Sequence, residues 1–318
     1  MPVLEIENLT KDFSVGFWKK HPVRALDTLC LEVRQGEIFG FLGPNGAGKS
    51  TTIKLLMHLL HPTSGTARIL GQPVDAVSMH QSIGYLPENP YFYDYLTPVE
   101  LLTYVGKLFG LHHPALSKKV DALIESVGLS HSRNLQLRKF SKGMVQRIGI
   151  AQALINDPEV VFLDEPMSGL DPLGRMDVRR IIASLKARGV TVFFSSHILP
   201  DVEALCDRVA ILNKGRLQEQ GALEEILKVR IEGHDVILSG WTEEHMSTIR
   251  KFSDEVRPMG NRLHLRVSNP KMMEGLLSFV FSHKLELISL NPIRPSLEEY
   301  FQSLVVGRQS AAPTPTND

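Results

Sequence analysis

The stretch Gly43-Pro44-Asn45-Gly46-Ala47-Gly48-Lys49-Ser50 constrains this chain more than any other. It meets every fixed position of the phosphate-loop pattern G-x-x-x-x-G-K-[ST]. Its flanks have the required form. The run Gly36-Glu37-Ile38-Phe39-Gly40-Phe41-Leu42 reads as a short buried strand, and Thr51-Thr52-Ile53-Lys54-Leu55-Leu56-Met57 as the start of a helix. Glycines let consecutive backbone N–H groups curl around phosphate oxygens without a Cβ clash. The helix N-terminus adds unpaired N–H groups and the positive end of its dipole. Lys49 is placed to reach the β- and γ-phosphates, and the Ser50 hydroxyl to ligate Mg²⁺. Strand, loop and helix together point to a nucleoside triphosphate, with residues 43–51, Thr51 included, as its phosphate cradle.

Composition narrows the class. With 318 residues the chain is long enough for two domains. Lys+Arg and Asp+Glu are 35 each, so the formal net charge is zero, which argues against a broad nucleic-acid-binding surface. Cys30 and Cys206 both lie among apolar residues and read as buried free thiols, not as a disulfide or metal pair. The N-terminus lacks the basic region and apolar core of a signal peptide. No window approaches the roughly 18–20 unbroken apolar residues that span a bilayer. The chain therefore reads as cytosolic.

Along the chain, residues 3–7 alternate as a half-buried strand does, and 25–33 read as a second such strand. Residues 14–22 between them read as a loop, either a long hairpin connection with an aromatic anchor or a membrane or partner contact. Short strands are expected near 65–70 and 83–86. The apolar spacing from 97 to 128 is helical, with a capping box at Thr97-Pro98-Val99-Glu100 and a second amphipathic helix over 117–127. A strand at 160–163, a helix over 174–188 and a strand at 190–195 imply a buried parallel sheet. The pattern restarts after a break at 221–233. Strands are expected at 235–238, 262–267 and 285–290, with helices over 243–256, 270–283 and 296–304. The polar tail, 309–318, reads as disordered.

Two further segments carry chemistry. Val160-Val161-Phe162-Leu163-Asp164-Glu165 is an apolar strand ending in two carboxylates. Asp164 is placed to hold Mg²⁺ beside a phosphate loop, and Glu165 to polarise a water attacking the γ-phosphate. In Phe140-Ser141-Lys142-Gly143-Met144, Ser141 caps a helix starting at Lys142, and Gly143 permits a close backbone approach.

Taken together and in order, these segments resemble the ATP-binding subunits of ABC transporters over about residues 3–220. Gly43 to Ser50 matches the Walker A loop, and Ser141-Lys142-Gly143-Met144 looks like the ABC signature. Leu163-Asp164-Glu165-Pro166 matches Walker B with its catalytic glutamate. Ser168-Gly169-Leu170-Asp171 matches the D-loop, and Ser195-Ser196-His197 the switch histidine. The signature and D-loop separate this family from other phosphate-loop proteins.

The resemblance implies a fold: an α/β P-loop NTPase of ABC type with an antiparallel β subdomain and a helical subdomain. The ATPase domain would occupy residues 1–230, its helical part about 89–158. A small α+β accessory domain would follow over 231–306, for dimer contact or regulation, and then the tail, 307–318.

It also implies a mechanism with ATP and Mg²⁺, in which two cassettes, identical or related, pack head to tail across ATP. Lys49 and Ser50 would hold phosphates and metal, Asp164 the metal, Glu165 would be the general base, and His197 would contact the γ-phosphate. Ser141 and Gly143 would close on the partner's ATP, and Asp171 would link the two sites. Phe13 would stack on adenine, with Phe17 and Trp18 as alternatives.

Departures from the family pattern are specific. Phe140, Lys142 and Met144 replace residues of the usual Leu-Ser-Gly-Gly-Gln signature. Glu88, in Gly84-Tyr85-Leu86-Pro87-Glu88, stands where the Q-loop usually has glutamine; a carboxylate can still ligate Mg²⁺ but cannot donate an N–H bond. The aromatic run at 89–96 is either a packed cap or an interface. The Tyr-Leu-Pro-Glu segment, the altered signature and Pro295-Ser296-Leu297-Glu298-Glu299-Tyr300-Phe301 look like the exporter branch, whose ATPases serve separate transmembrane permeases from the inner face of the cell membrane.

Two other function classes are weaker. A non-transport ABC ATPase acting on nucleic acid or ribosomes expects coiled-coil insertions, paired cassettes or basic tracts, which this sequence lacks. A regulatory module is disfavoured by the complete Asp164-Glu165 pair. His234, His245, His264 and His283 are scattered without ligand spacing.

Overall fold

Alternation of apolar and polar residues builds the first sheet. In β1 (Pro2–Val15) Leu4, Ile6 and Leu9 are buried, and in β2 (His21–Arg34) Leu29, Leu31 and Val33 are. A computed structural model describes residues 2–16, 21–228 and 233–293 together with 297 and 301. Both described ends of the loop expected over 14–22 are strand: Ser14 pairs with Pro22 and Val15 with His21, because cross-strand partners satisfy a backbone that local sequence left unassigned. Phe17 and Trp18 lie outside the described residues. Cys30 is also not where it was expected. It is exposed, because the alternation that turns Leu29 and Leu31 inward turns Cys30 out. Cys206 is half-buried, and burial of its thiol, with Asp207 beside it, pushes its pKa well up.

The chain continues through β3 (Ile38–Leu42), α1 (Lys49–Leu56), β4 (Ser64–Ile69), β5 (Gln72–Pro73) and β6 (Ile83–Leu86). Helices α2 (Pro98–Leu108), α3 (Ala115–Ser126) and α4 (Lys142–Ala153) follow. The Thr97–Glu100 capping box forms: Glu100 N donates to Thr97 Oγ1 at 3.3 Å, and Thr97 N donates to Glu100 Oε2 at 2.8 Å. Ser141 Oγ accepts from Met144 N at 3.3 Å and caps α4. Then come β7 (Val160–Asp164), α5 (Pro172–Ala187), β8 (Thr191–Ser196), α6 (Leu199–Leu205), β9 (Arg208–Asn213) and β10 (Arg216–Ala222).

Strands β2-β1-β4-β5 make an antiparallel sheet, and β10-β9-β3-β8-β7-β6 a six-stranded one in which all neighbours except β10 and β9 run parallel. The parallel strands are buried on both faces and so read as continuous apolar runs. Phe193 is fully buried, with ring centroids of Phe39, Phe41 and Phe162 at 5.7, 5.3 and 5.5 Å. This aromatic cluster belongs to one core with the antiparallel sheet. It fixes the strand ends that carry the site described below.

The chain divides into two compact units, Met1–Leu223 and Glu224–Asp318. The second contains α7 (Leu223–Lys228) from its second residue, then β11 (Gly233–Ser239), α8 (Glu243–Ile249), β12 (Glu255–Met259), β13 (Arg262–Val267), α9 (Pro270–Ser282) and β14 (Glu286–Ile293). The order from β11 is βαββαβ, and the strands pair β12-β13-β11-β14, all antiparallel, as in a ferredoxin-like split βαβ. Its core includes Val236, Leu238, Ile249, Leu263, Leu265, Val267, Leu276 and Val280.

The helix expected over 243–256 ends at Ile249. The spacing of Met246, Ile249 and Val256 fits a helix, but Val256 pairs with Leu265 in the β12–β13 ladder, a partner local spacing cannot reveal. The helix expected over 296–304 and the tail fall outside the described residues, apart from 297 and 301. Among the described residues no helix is long and apolar enough to cross a membrane.

Candidate functional site

The phosphate loop connects β3 to α1 at the carboxyl ends of the parallel strands, where open α/β sheets bind ligands. Two glycines are required by geometry. A Cβ on Gly43 would stand 2.4 Å from Leu212 O, and Gly48 combines φ of +109° with a Cβ position 2.6 Å from Ala25 O. Helix α1 starts at Lys49, so its first N–H groups, without intrahelical acceptors, open onto the loop. The loop borders a cleft of about 460 Å³, lined by residues 45–51, Ala25, Glu88, Glu165, Ser168 and His197.

Strands β7 and β8 deliver the polar groups. Their register sets Asp164 beside Ser195. The buried Asp164 Oδ1 accepts from Ser195 Oγ at 2.6 Å and from Ser50 Oγ at 3.1 Å. Glu165 follows with φ of +49°, a left-handed conformation uncommon outside glycine. Its N–H donates to Ser195 Oγ at 2.9 Å.

The Glu165 carboxylate is 6% exposed; Oε1 stands 3.2 Å from Lys49 Nζ and Oε2 2.8 Å from His197 Nδ1. Lys49 Nζ also donates to Gly43 O at 2.7 Å and, more weakly, to Pro44 O at 3.4 Å. Tyr85 on β6 has its phenol pushed up to about 12 by burial, with the Asp164 charge adding to it. A cation, a carboxylate and an imidazole thus meet in contact at the mouth of a phosphate cradle. This arrangement can bind a polyphosphate and take a proton from a water beside it.

The structure brings Lys49, Ser50, Thr51, Glu88, Glu165 and His197 to one cleft, with Asp164 hydrogen-bonded to Ser50. Ser141, Gly143 and Asp171 line a different cleft, of about 410 Å³, together with Lys142. There Asp171 Oδ1 accepts from Gly174 N at 3.0 Å as the cap of α5. Phe13 is among the lining residues of neither cleft; it is half-buried, with Lys11 Nζ 5.2 Å from its ring centroid. Ala25, the place of Ser168 in this cleft beyond its D-loop match, and the separate part played by Ser195 were not legible in the sequence. For Ser195 the only local signal is its place at a strand end before His197. A third, largely apolar cavity of about 700 Å³ is lined by Val77, Tyr85, Val105, Leu108, Phe109 and Leu111, among others, with Val77 82% and Leu108 69% exposed.

Fold and site together define a P-loop nucleotide-hydrolysing domain. The profile of the family described as ABC transporter matches residues 26–168. An uncharacterised ABC transporter ATP-binding protein of Synechocystis is 46% identical over 301 residues, covering 94% of this chain and 83% of that protein. The bacitracin transport ATP-binding protein BcrA of Bacillus licheniformis is 37% identical, covering 89% of this chain and 93% of its own. A solved structure described as the ATP-binding subunit of an ABC transporter superposes with a TM-score of 0.61 at 31% identity, over 70% of this chain and 91% of that one. The chain belongs to the ATP-binding proteins of the ABC transporter family, a family of ATPases.

Proposed function

We propose that this chain hydrolyses ATP to power a separate transmembrane permease of the export type, working as one half of a dimer with two ATP molecules at the interface. The observation that carries this reading is the contact chain Lys49–Glu165–His197 at the phosphate loop. Residues 43–51 bind the phosphates, and Lys49 exchanges its contact with Glu165 for the γ-phosphate. Glu165 accepts a proton from the attacking water as the bond between the γ-phosphorus and the bridging oxygen breaks, giving ADP and phosphate. His197 holds the Glu165 carboxylate and then the γ-phosphate. Ser50 and Asp164 suit Mg²⁺, because they form an all-oxygen donor pair already in contact at 3.1 Å, and Glu88 borders the same cleft. When bound, Mg²⁺ neutralises phosphate charge.

The separation of Ser141, Gly143 and Asp171 from the phosphate loop supports their acting on a partner's ATP, from an identical or related cassette. Phe13 is assigned to adenine. The exposed apolar cavity beside Val77 and Leu108 supports docking of a permease segment and a place on the inner face of the cell membrane. The name of the bacitracin transport relative supports a transport role, and that of a linearmycin resistance ATP-binding protein of Bacillus subtilis, 32% identical over 95% of this chain, supports the outward direction. In this reading residues 1–230 are the ATPase domain, with its helical part at 89–158, and 231–306 an accessory domain. A division of compact units at Leu223 supports a boundary in that region.

The test is steady-state hydrolysis by the purified chain against Glu165→Gln, with size-exclusion chromatography in ATP and Mg²⁺. The substitution lowers kcat by about 10²–10⁴-fold, the usual contribution of a general base, and ATP-dependent dimer accumulates. A Glu165→Gln protein that turns over as fast as the wild type refutes the assignment.

A further inference from the structure

Ser195 lies on β8, not on the strand that carries the carboxylates, and it is fully buried. A hydroxyl offers one donor and two acceptor positions. Ser195 uses both functions on consecutive residues of β7 and its exit: it donates to Asp164 Oδ1 at 2.6 Å and accepts from Glu165 N at 2.9 Å.

The β7–β8 ladder ends at the Asp164–Ser195 pair, so Glu165 has no further ladder partner on β8. Its backbone turns at that residue into the left-handed region, at φ +49°, a conformation that costs a non-glycine residue free energy and persists only where neighbours impose it. On the far side, Glu165 O accepts from Ser168 N at 3.1 Å. The peptide before Glu165 is thus anchored by a side chain, and the one after it by the following turn.

We propose that Ser195 is a positioning residue for hydrolysis: its hydroxyl ties Asp164 and the Glu165 peptide to β8, and so aims the Glu165 carboxylate at Lys49 and His197. This rests on the reading of Glu165 as the base. Ser195 does not touch substrate; it acts through the two carboxylate residues. Losing the hydroxyl leaves Asp164 with Ser50 alone, and the Glu165 N–H without its acceptor. The carboxylate then no longer has one fixed direction. Binding of ATP, made by the loop and α1, is left intact.

The experiment compares wild type, Ser195→Ala, Ser195→Cys and Glu165→Gln in the full chain, measuring kcat, KM for ATP, ATP affinity and thermal unfolding. Ser195→Ala is expected to lower kcat about 10–100-fold, the usual effect of removing a group that orients a catalytic shell. KM and ATP affinity stay within about threefold. Ser195→Cys keeps the shape with a weaker donor and acceptor and falls between wild type and Ser195→Ala. It also replaces the alanine variant as the test if that protein does not fold.

A purely structural role predicts a lowered unfolding temperature with kcat unchanged below it. That outcome, or a loss confined to ATP affinity, overturns the proposal. If Glu165→Gln is inactive while Ser195→Ala matches wild type, only the role of Ser195 fails. If Glu165→Gln is active, the assignment of the base fails with it.

Discussion

Replacing Lys49 with methionine tests the electrostatics of the site most directly, because it keeps the apolar stem and removes only the ammonium. That ammonium lies 2.7 Å from Gly43 O and 3.2 Å from Glu165 Oε1, and both side chains of the ion pair are 6% exposed. Breaking a buried ion pair costs about 3–5 kcal/mol when the stranded charge has no other partner. Glu165 keeps His197 at 2.8 Å, and that imidazole is 41% exposed, so the charge is not wholly stranded. The expected loss is therefore about 2 kcal/mol. For a unit spanning Met1–Leu223 this lowers Tm by roughly 4–8 °C.

A second substitution, Glu165→Gln, removes the stranded charge. The double variant Lys49→Met/Glu165→Gln is then more stable than Lys49→Met alone, by about 1 kcal/mol. Calorimetry and urea unfolding without nucleotide measure both differences. ATP affinity falls independently by about 10–150-fold, the worth of one charge-assisted hydrogen bond. A Lys49→Met protein that unfolds with the wild type refutes the reasoning. So does a double variant less stable than the single one, because Glu165 would then not be a destabilising stranded charge in the Lys49→Met protein.

Two further outcomes concern other parts of the first unit. Asp201 on α6 is 1% exposed, and burial raises its pKa despite Arg179 at 3.2 Å and the nearby charge of Arg175. The folded state therefore keeps a proton that the unfolded chain releases near its ordinary value of about 3.9, and stability declines as pH rises from there through the raised value. Asp201→Asn removes that slope. Urea titrations from acid to neutral pH should show the variant gaining on the wild type across the window and running parallel to it above. Ser141→Ala should cost about 1 kcal/mol through loss of the α4 cap and should suppress ATPase activity. Binding of ATP to the monomer should stay unchanged, because Ser141 lines the other cleft, and equilibrium nucleotide binding measures this.

Features specified within a few residues of one another are legible locally. Pattern and context gave the loop from Gly43 to Ser50, the caps at Thr97 and Ser141, and the apolar strand ending in Asp164-Glu165. Each works through neighbours one turn or one strand away. Family resemblance, carried by the order of five short motifs, added the class of protein.

Tertiary structure decided which strand ends meet. The order β9-β3-β8-β7 places the phosphate loop, Ser195 and Asp164 side by side although they are far apart in sequence, and sheet neighbours are chosen by packing that no local period encodes. The same holds for Val256 of β12, whose helical spacing yields to its pairing with Leu265 of β13, and for Cys30, turned outward by the register of β2. It holds again for Asp201, a carboxylate whose burial depends on the packing of α6 and on Arg179 of α5. Residue types and short spacings fix what chemistry is available. Long-range pairing fixes which of those groups come within hydrogen-bonding distance, and here it sets Ser195 against both carboxylate residues.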